Sequence, residues 1–148
     1  MNRLPPNPSR QAGVAIVEFA LALPFLLLMT FVVTEYSRAL YQYNTLAKSV
    51  RDAARYLSVQ TPGTKITQAK NLVVYGNPAG TGTPLAIGLT TSQVPDPTWQ
   101  LAGASPVINT VRIGITGYTF TPLFASAFGF DFGTLAFAPI TATMRCPL

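Results

Sequence analysis

Hydrophobic residues dominate one long stretch near the start of the chain, where positions 14–33 contain a single charged residue, Glu18. A helix needs about 20 apolar residues, with a rise of about 1.5 Å each, to cross a bilayer core of about 30 Å. The stretch therefore predicts a transmembrane helix. Pro24 falls in its middle and removes one backbone hydrogen bond, so it acts either as a helix kink or as a proline that membrane neighbours tolerate.

A helical pattern of apolar residues continues beyond this stretch. Steps of four and three residues connect Tyr36, Leu40, Tyr43, Ala47, Val50, Ala54 and Leu57. This spacing places one apolar stripe along a helix. No Gly or Pro interrupts positions 25–61, so we expect a continuous rod from about Val14 to Leu57, about 66 Å long, with roughly half of it outside the membrane. We expect the stripe to pack against the chain's own outer domain in preference to another subunit.

The second half of the chain predicts a small mixed domain. Thr61-Pro62-Gly63 end the rod, and Thr64 is placed to cap a second helix that runs to about Tyr75 and stops at Gly76. The Gly-, Pro- and Thr-rich residues 76–97 predict an ordered surface loop, with at most a short strand near residues 85–89.

Three later segments predict strands. Apolar and polar residues alternate from Val107 to Ile115, a period of two that suits a half-buried strand. Leu135 to Met144 predicts a second strand, in which Pro139 implies an edge position or a bulge. Thr98 to Ala102 can supply a third. The expected fold class is therefore α+β, with a long N-terminal helix packed by a small antiparallel sheet.

Aromatic residues are concentrated between the two stronger strands, in residues 118–133. The phenylalanines of this segment are Phe120, Phe124, Phe128, Phe130 and Phe132. A small core cannot bury all of them, so the segment predicts a contact with a partner or with lipid. For any single Phe, filling of the core under the sheet is the alternative interpretation.

Composition removes most chemical functions from consideration. The 148-residue chain has no His, one Cys and five scattered acidic residues, so it offers no catalytic Ser-His or Cys-His pair and no metal-ligand cluster. It has no GxGxxG or Gly-Lys-Ser/Thr motif to bind a phosphate. We therefore predict that it is not an enzyme and has no cofactor, metal or small-molecule substrate. Cys146 is expected to be a free thiol near a frayed terminus.

The net charge of +5 does not predict nucleic-acid binding. The basic residues are divided between the N-terminal flank and the extension of the helix, where acidic residues lie among them. Arg3 and Arg10 precede the apolar stretch without any acidic residue, and Lys/Arg beside a membrane helix resist translocation. We therefore expect a cytoplasmic N-terminus, with the rest of the chain outside.

Two positions in the N-terminal part of the chain are candidates for proteolytic cleavage. An ordinary secretory signal is cut after its apolar region at a small-x-small site, but Ala20-Leu21-Ala22 lies in the middle of the run. Cleavage after Gly13 fits better, because it leaves the whole apolar segment on the mature chain. The cut would create an amine on Val14, mostly protonated at neutral pH, just over one helical turn from Glu18. In a staggered filament, Glu18 could neutralise the Val14 amine of a neighbouring chain.

Gly13, four apolar residues, Glu18-Phe19 and a long apolar run together resemble the class III prepilin signal of type IV pilins and pseudopilins. The residues at 13–24, 35–41 and 53–56 resemble, more narrowly, the TadE-like proteins of tight-adherence (Tad) pilus systems, and so do the segments at 111–123 and 141–145. Phe19 departs from the major Tad pilins, which have Tyr there.

The resemblance implies a pilin-like, lollipop-shaped minor pilin or pseudopilin that acts in pilus assembly, initiation or adhesion. Its parts would be a cleaved leader at 1–13, a transmembrane half-helix at 14–34, an extracytoplasmic half-helix at 35–60 and an outer domain at 61–148. A prepilin peptidase would cut between Gly13 and Val14, and Glu18 and Phe19 would be the assembly residues. Other implied partners are fellow pilins and the assembly platform of the bacterial inner membrane, which the chain would cross once.

Three alternatives to this interpretation remain. Glu18 could simply snorkel to the headgroups, as an acidic residue one turn inside a membrane helix can. The chain could be a type II secretion pseudopilin, which shares the leader and the shape. It could also be an uncleaved, signal-anchored envelope protein whose outer domain is a binding module.

Overall fold

One helix of 51 residues dominates the computed structural model, which describes residues 8–123, 126–127 and 129–147. Helix α1 runs from Pro8 to Ser58 and continues through Pro24. The predicted continuous rod is confirmed, and the helix begins six residues before its expected start. Its first half is apolar all round, while its second half carries the alternation of apolar and polar residues that a half-buried helix needs.

The remaining elements form a small α+β domain. They are α2 (Ile66–Tyr75), a 3-10 turn (Thr91–Gln93), β1 (Thr98–Ala102), β2 (Ile108–Ile115), β3 (Thr119–Phe120), β4 (Ser126–Ala127), β5 (Phe130–Asp131), β6 (Leu135–Ala136) and β7 (Ile140–Arg145). Antiparallel strands in the order β1-β2-β7 make the main sheet, and β3-β6 and β4-β5 make two short pairs. A long helix followed by a small antiparallel sheet confirms the predicted fold class and the lollipop layout.

Strand β2 is the centre of the sheet. Its partners are fixed by pairs such as Trp99↔Val111 on one side and Ile113↔Ala142 on the other. Gly114 allows the close approach of β7, because a Cβ atom there would lie 2.6 Å from the carbonyl oxygen of Ile140. The strand predicted at 98–102 is confirmed at both ends, and the one predicted at 107–115 begins one residue later.

The single strand predicted from Leu135 to Met144 is wrong as a continuous element. The segment is divided into β6 and β7, and Pro139 lies in the gap between them. Pro139 has no N–H to donate to a ladder, which explains why pairing stops there. β7 is an edge strand of the main sheet, as the proline implied.

The core lies between the outer half of α1, helix α2 and the inner face of the sheet. Its fully buried residues include Leu46, Val50, Leu57, Val73 and Val111. The prediction that α1 packs against the chain's own domain is confirmed, since α1 contacts α2, β2 and β7.

The apolar stripe predicted on α1 is only half correct. Val50, Ala54 and Leu57 are buried as expected, whereas Tyr36, Leu40 and Tyr43 are exposed. Ala39, Leu46 and Ala53 occupy the buried face instead. The domain covers one narrow side of the helix, and the small side chain of Ala39 allows closer packing there than a Tyr would.

Helix α2 ends as predicted but begins differently. Gly76 terminates it with a φ of 74°, and its N–H donates to the carbonyl oxygen of Leu72. Thr64 is not the cap: the capping position is Lys65, with a φ of 58°. The Thr64 hydroxyl donates instead to the carbonyl oxygen of Thr61, 2.7 Å away, and so belongs to the preceding turn.

The loop at residues 76–97 is described throughout and contains no strand, only the 3-10 turn. It is nevertheless ordered by specific bonds. The Leu85 N–H donates to the carbonyl oxygen of Val74, and the Tyr118 hydroxyl donates to that of Ile87, 2.9 Å away. Burial raises the pKa of the Tyr118 phenol, so this donor stays protonated well above neutral pH.

Cys146 does not lie in a frayed terminus. The thiol is free, as expected, but it is buried in the core, and the backbone N–H of Cys146 donates to the carbonyl oxygen of Asn109. This bond extends the contact between β7 and β2 by one residue, which explains why the prediction of fraying was wrong.

Leu46 and Leu40 allow a matched test of this packing, because they lie on the same helix with exposures of 0% and 45%. We expect Leu46→Ala to lower the free energy of unfolding by about 2–5 kcal/mol, since it opens a cavity in the core. Leu40→Ala should cost less than about 1 kcal/mol. Denaturant unfolding of the full chain in detergent, followed by Trp99 fluorescence, measures both. Equal losses would contradict the assigned helix face.

Candidate functional site

The N-terminal half of α1 lies clear of the domain. Within the described residues it is the one helix long and apolar enough to be a candidate membrane span, and none of its apolar window is buried. Large side chains such as Phe19, Phe25 and Leu26 are more than 60% exposed. An apolar surface of this length is not stable in water, so lipid or neighbouring helices must cover it.

The predicted processing and assembly residues lie together at the start of this surface. Gly13, Val14 and Glu18 line one shallow groove with Val17 and Leu21. Glu18 is five residues after Gly13, a rise of about 7.5 Å along the helix. The Glu18 side chain forms no ion pair and no hydrogen bond with any residue in the described part of the chain. The carboxylate is therefore open to a partner from outside the chain.

The same groove has free space around Gly13. A Cβ atom built on Gly13 would meet nothing within 4 Å. The fold of this chain therefore does not itself require a glycine at that position. Phe19, next to Glu18, is 66% exposed and makes an apolar contact surface beside the carboxylate.

A second carboxylate marks the point where α1 meets the domain. Glu35 is only 6% exposed, and its Oε2 lies 2.6 Å from Nη1 of Arg38, one turn further along the helix. The same oxygen accepts a hydrogen bond of 3.3 Å from the backbone N–H of Leu123. Glu35 therefore joins α1 to the loop that follows β3. We call Glu35, Arg38, Phe120 and Leu123 the clamp.

Aromatic side chains complete the clamp. The Arg38 guanidinium carbon lies 5.5 Å from the centre of the Phe120 ring, a cation–π distance. Phe120 is buried and stacks on Phe137, with ring centres 6.4 Å apart, and Phe137 in turn makes a T-shaped contact with Tyr43 on α1. The clamp thus fixes the domain to α1 directly after the exposed apolar half, through contacts from two separate parts of the chain.

Sequence reasoning did not identify this ion pair. A Glu and an Arg three residues apart face the same side of a helix, and that spacing, directly after the apolar run, is the signal that could have indicated it. The contact with Leu123, 88 residues away, has no such local signal. A second ion pair, Lys70 Nζ to Asp96 Oδ1 at 2.6 Å, connects α2 to the residues before β1.

The predicted partner-contact residues fall into three groups. Phe120 is buried in the domain, which agrees with the alternative interpretation that it packs in the core. Phe132 is half-buried and lines a pocket beside α1. Phe130 belongs to β5, while Phe124 and Phe128 lie outside the described residues. A contact between this segment and a partner stays a prediction.

Comparison with known proteins gives a family match for most of helix α1. A family model described as TadE-like protein matches residues 13–55, which are the part of α1 from Gly13 almost to its end. The chain is consistent with a TadE-like protein, and the family suggests a pilin-like protein associated with a Tad pilus and with the membrane. No curated protein and no solved structure matches the chain significantly.

The clamp predicts a specific loss of stability. Arg38→Gln leaves the Glu35 carboxylate buried without its ion pair and should lower the free energy of unfolding by about 1–3 kcal/mol. Arg51→Gln, at an exposed arginine of the same helix, should change it by less than about 0.5 kcal/mol. Unfolding of the full chain in detergent, followed by Trp99 fluorescence, compares the two.

A double variant separates the lost pair from lost packing. Adding Glu35→Gln to Arg38→Gln should recover part of the loss, because a neutral amide costs less to bury than an unpaired carboxylate. If Arg38→Gln costs no more than Arg51→Gln, the ion pair does not hold the domain to α1.

Proposed function

We propose that this protein is a minor pilin or pseudopilin of a Tad-type pilus, made as a precursor and cut between Gly13 and Val14. It would be anchored in the bacterial inner membrane by residues 14–34, with residues 1–13 cytoplasmic and the outer domain on the opposite side. It would act in assembly, initiation or adhesion with other pilins and the assembly platform, and it would carry out no chemistry.

The observation that carries this proposal is the open carboxylate of Glu18 in an otherwise apolar surface, five residues after Gly13. A carboxylate in a membrane helix costs free energy, up to about 2.5–3.5 kcal/mol at the bilayer centre, and such residues usually have a partner. The family match begins at Gly13, the residue that would precede the cut. The clamp adds support, because it holds the domain beside the half of α1 that lies outside the predicted span.

Assembly follows from the pairing of two charges. Cleavage places a protonated amine on Val14, at the same membrane edge as Glu18. When subunits are staggered along a filament, the carboxylate of one chain meets the amine of the next, and each charge is neutralised away from water. Exposed apolar side chains around the groove, such as Val17 and Leu21, then pack against the neighbouring helix.

Processing can be tested at Gly13. The peptidase must bring its catalytic groups to the backbone at this residue, and a side chain there would obstruct them. Because the fold leaves space around Gly13, Gly13→Leu should insert into the membrane normally but remain uncut in cells that contain the peptidase. The matched control Ala20→Leu adds the same side chain to the same helix and should be processed. Immunoblots of membrane fractions distinguish the two lengths, and full processing of Gly13→Leu would contradict the assigned site.

Assembly can be tested at Glu18. Glu18→Gln keeps the shape of the side chain and removes its charge, so it should be inserted and cut but largely lost from sheared pilus fractions and from complexes with other pilins. The control is Thr34→Val, because the Thr34 hydroxyl donates only to the carbonyl oxygen of Thr30 within α1. Normal assembly of Glu18→Gln would show that Glu18 snorkels to the headgroups and has no pairing role.

A further inference from the structure

A patch of apolar side chains lies on one side of α1 where the helix meets the domain. We call it the collar and define it as Tyr36 on α1 together with Pro122, Leu123, Phe132 and Leu135 from the domain. Tyr36 and Leu123 are 62% and 67% exposed, and Leu135 is 51% exposed. Leu135 is fixed by its pairing with Phe120 across β3 and β6. The collar is therefore an ordered surface that shows large apolar groups to its surroundings.

The distance from Val14 to the collar along α1 matches the thickness of a bilayer core. It meets the helix at Val32, Glu35 and Tyr36, where both parts line one pocket. These residues lie about 27–33 Å from Val14 at the helical rise of 1.5 Å per residue. A hydrocarbon core is about 30 Å thick. If Val14 lies at the inner edge, the collar lies at the outer one.

The charge pattern of the collar suits this position. Residues 117–138 contain one charged side chain, Asp131, whose Oδ1 accepts a hydrogen bond from the Gly133 N–H. The Glu35 carboxylate behind the collar is paired with Arg38. Inserting such a surface among lipid headgroups therefore requires the removal of very few charges from water.

A pocket between α1 and the domain opens at the collar. It has a volume of about 190 Å³ and is lined mainly by apolar residues, among them Val32, Ala39 and Phe120. Glu35 contributes the one charged group of the lining, and its Oε2 is engaged by Arg38 and by the Leu123 N–H. Tyr36 beside it has the amphipathic ring that is typical of membrane interfaces.

We propose that the collar is a lipid-contact surface, inserted at the boundary between headgroups and acyl chains of the leaflet on the domain's side. The proposal rests on the membrane anchoring of α1 in the proposed function. It assigns to the segment after β3 the task of seating the domain on the membrane while the subunit waits for assembly. Withdrawal of the subunit into a filament then requires the collar to leave lipid together with α1.

Depth-dependent quenching in vesicles tests this proposal on the full mature chain. In a Cys146→Ala background, single cysteines replace Leu123, Leu27 and Val59 and carry an environment-sensitive fluorophore. Val59 is the matched control, since it is an exposed apolar residue directly after the far end of α1. The vesicles contain phosphatidylethanolamine and phosphatidylglycerol, with nitroxide-labelled lipids at shallow or deep positions and a high lipid-to-protein ratio. Trp99 emission confirms that each variant is folded.

The expected result is a loss of fluorescence at Leu123→Cys with shallow nitroxides, at Leu27→Cys with deep nitroxides and at Val59→Cys with neither. An unquenched Leu123 site beside a quenched Leu27 site would overturn the lipid contact and leave the anchor intact. An unquenched Leu27 site would overturn the anchor itself. A Leu123 signal that shifts with protein concentration but is not quenched by lipid would assign the collar to a second copy of this chain.

Discussion

A single helix must satisfy two different surroundings, and the rest of the molecule follows from this constraint. The first half of α1 is apolar on all sides and lies uncovered, whereas the second half buries one face against the domain. Apolar surface is stable in the first half only when lipid or other helices cover it, and in the second half only when the sheet does. The helix changes from exposed to buried on one face within about one turn, at Glu35–Ala39.

The two carboxylates of α1 have opposite relations to the fold. Glu35 is buried, paired with Arg38 and bonded to Leu123, so its charge is used to fix the domain to the helix. Glu18 has no partner among the described residues and is exposed. A buried ion pair can hold two elements in one arrangement. A carboxylate in the apolar surface of a membrane helix usually has a binding partner. The internal clamp thus leaves the Glu18 carboxylate without a partner in the described part of the chain, and an assembly role for this carboxylate stays a proposal.

Much of this arrangement was predictable from local patterns. Helix α1 was predictable from the length of the apolar run and from the absence of Gly and Pro at positions 25–61. Strand β2 was predictable from the alternation of apolar and polar residues near Val111. Each of these patterns depends only on neighbouring residues. The break between β6 and β7 lies at Pro139. It could have been predicted, because a proline has no N–H to donate to a strand ladder. The capping of α2 was mispredicted because the Thr64 hydroxyl found a closer acceptor in Thr61.

The rest depended on contacts that a sequence pattern does not contain. The burial of Ala39 in place of Tyr36, the bond from Leu123 to Glu35 and the burial of Cys146 are set by which side of α1 the sheet covers. The spacing of Gly13, Val14 and Glu18 predicts a processing and assembly site, which stays a prediction. The structure adds that the three residues line one open groove.

The mass of the mature chain, purified from its native membranes, is the decisive test of cleavage between Gly13 and Val14. We expect a chain whose first residue is Val14, with its α-amine available to a neighbouring Glu18. A chain that keeps Met1 in membranes containing an active prepilin peptidase would contradict it, and α1 would then be an uncleaved anchor for the outer domain.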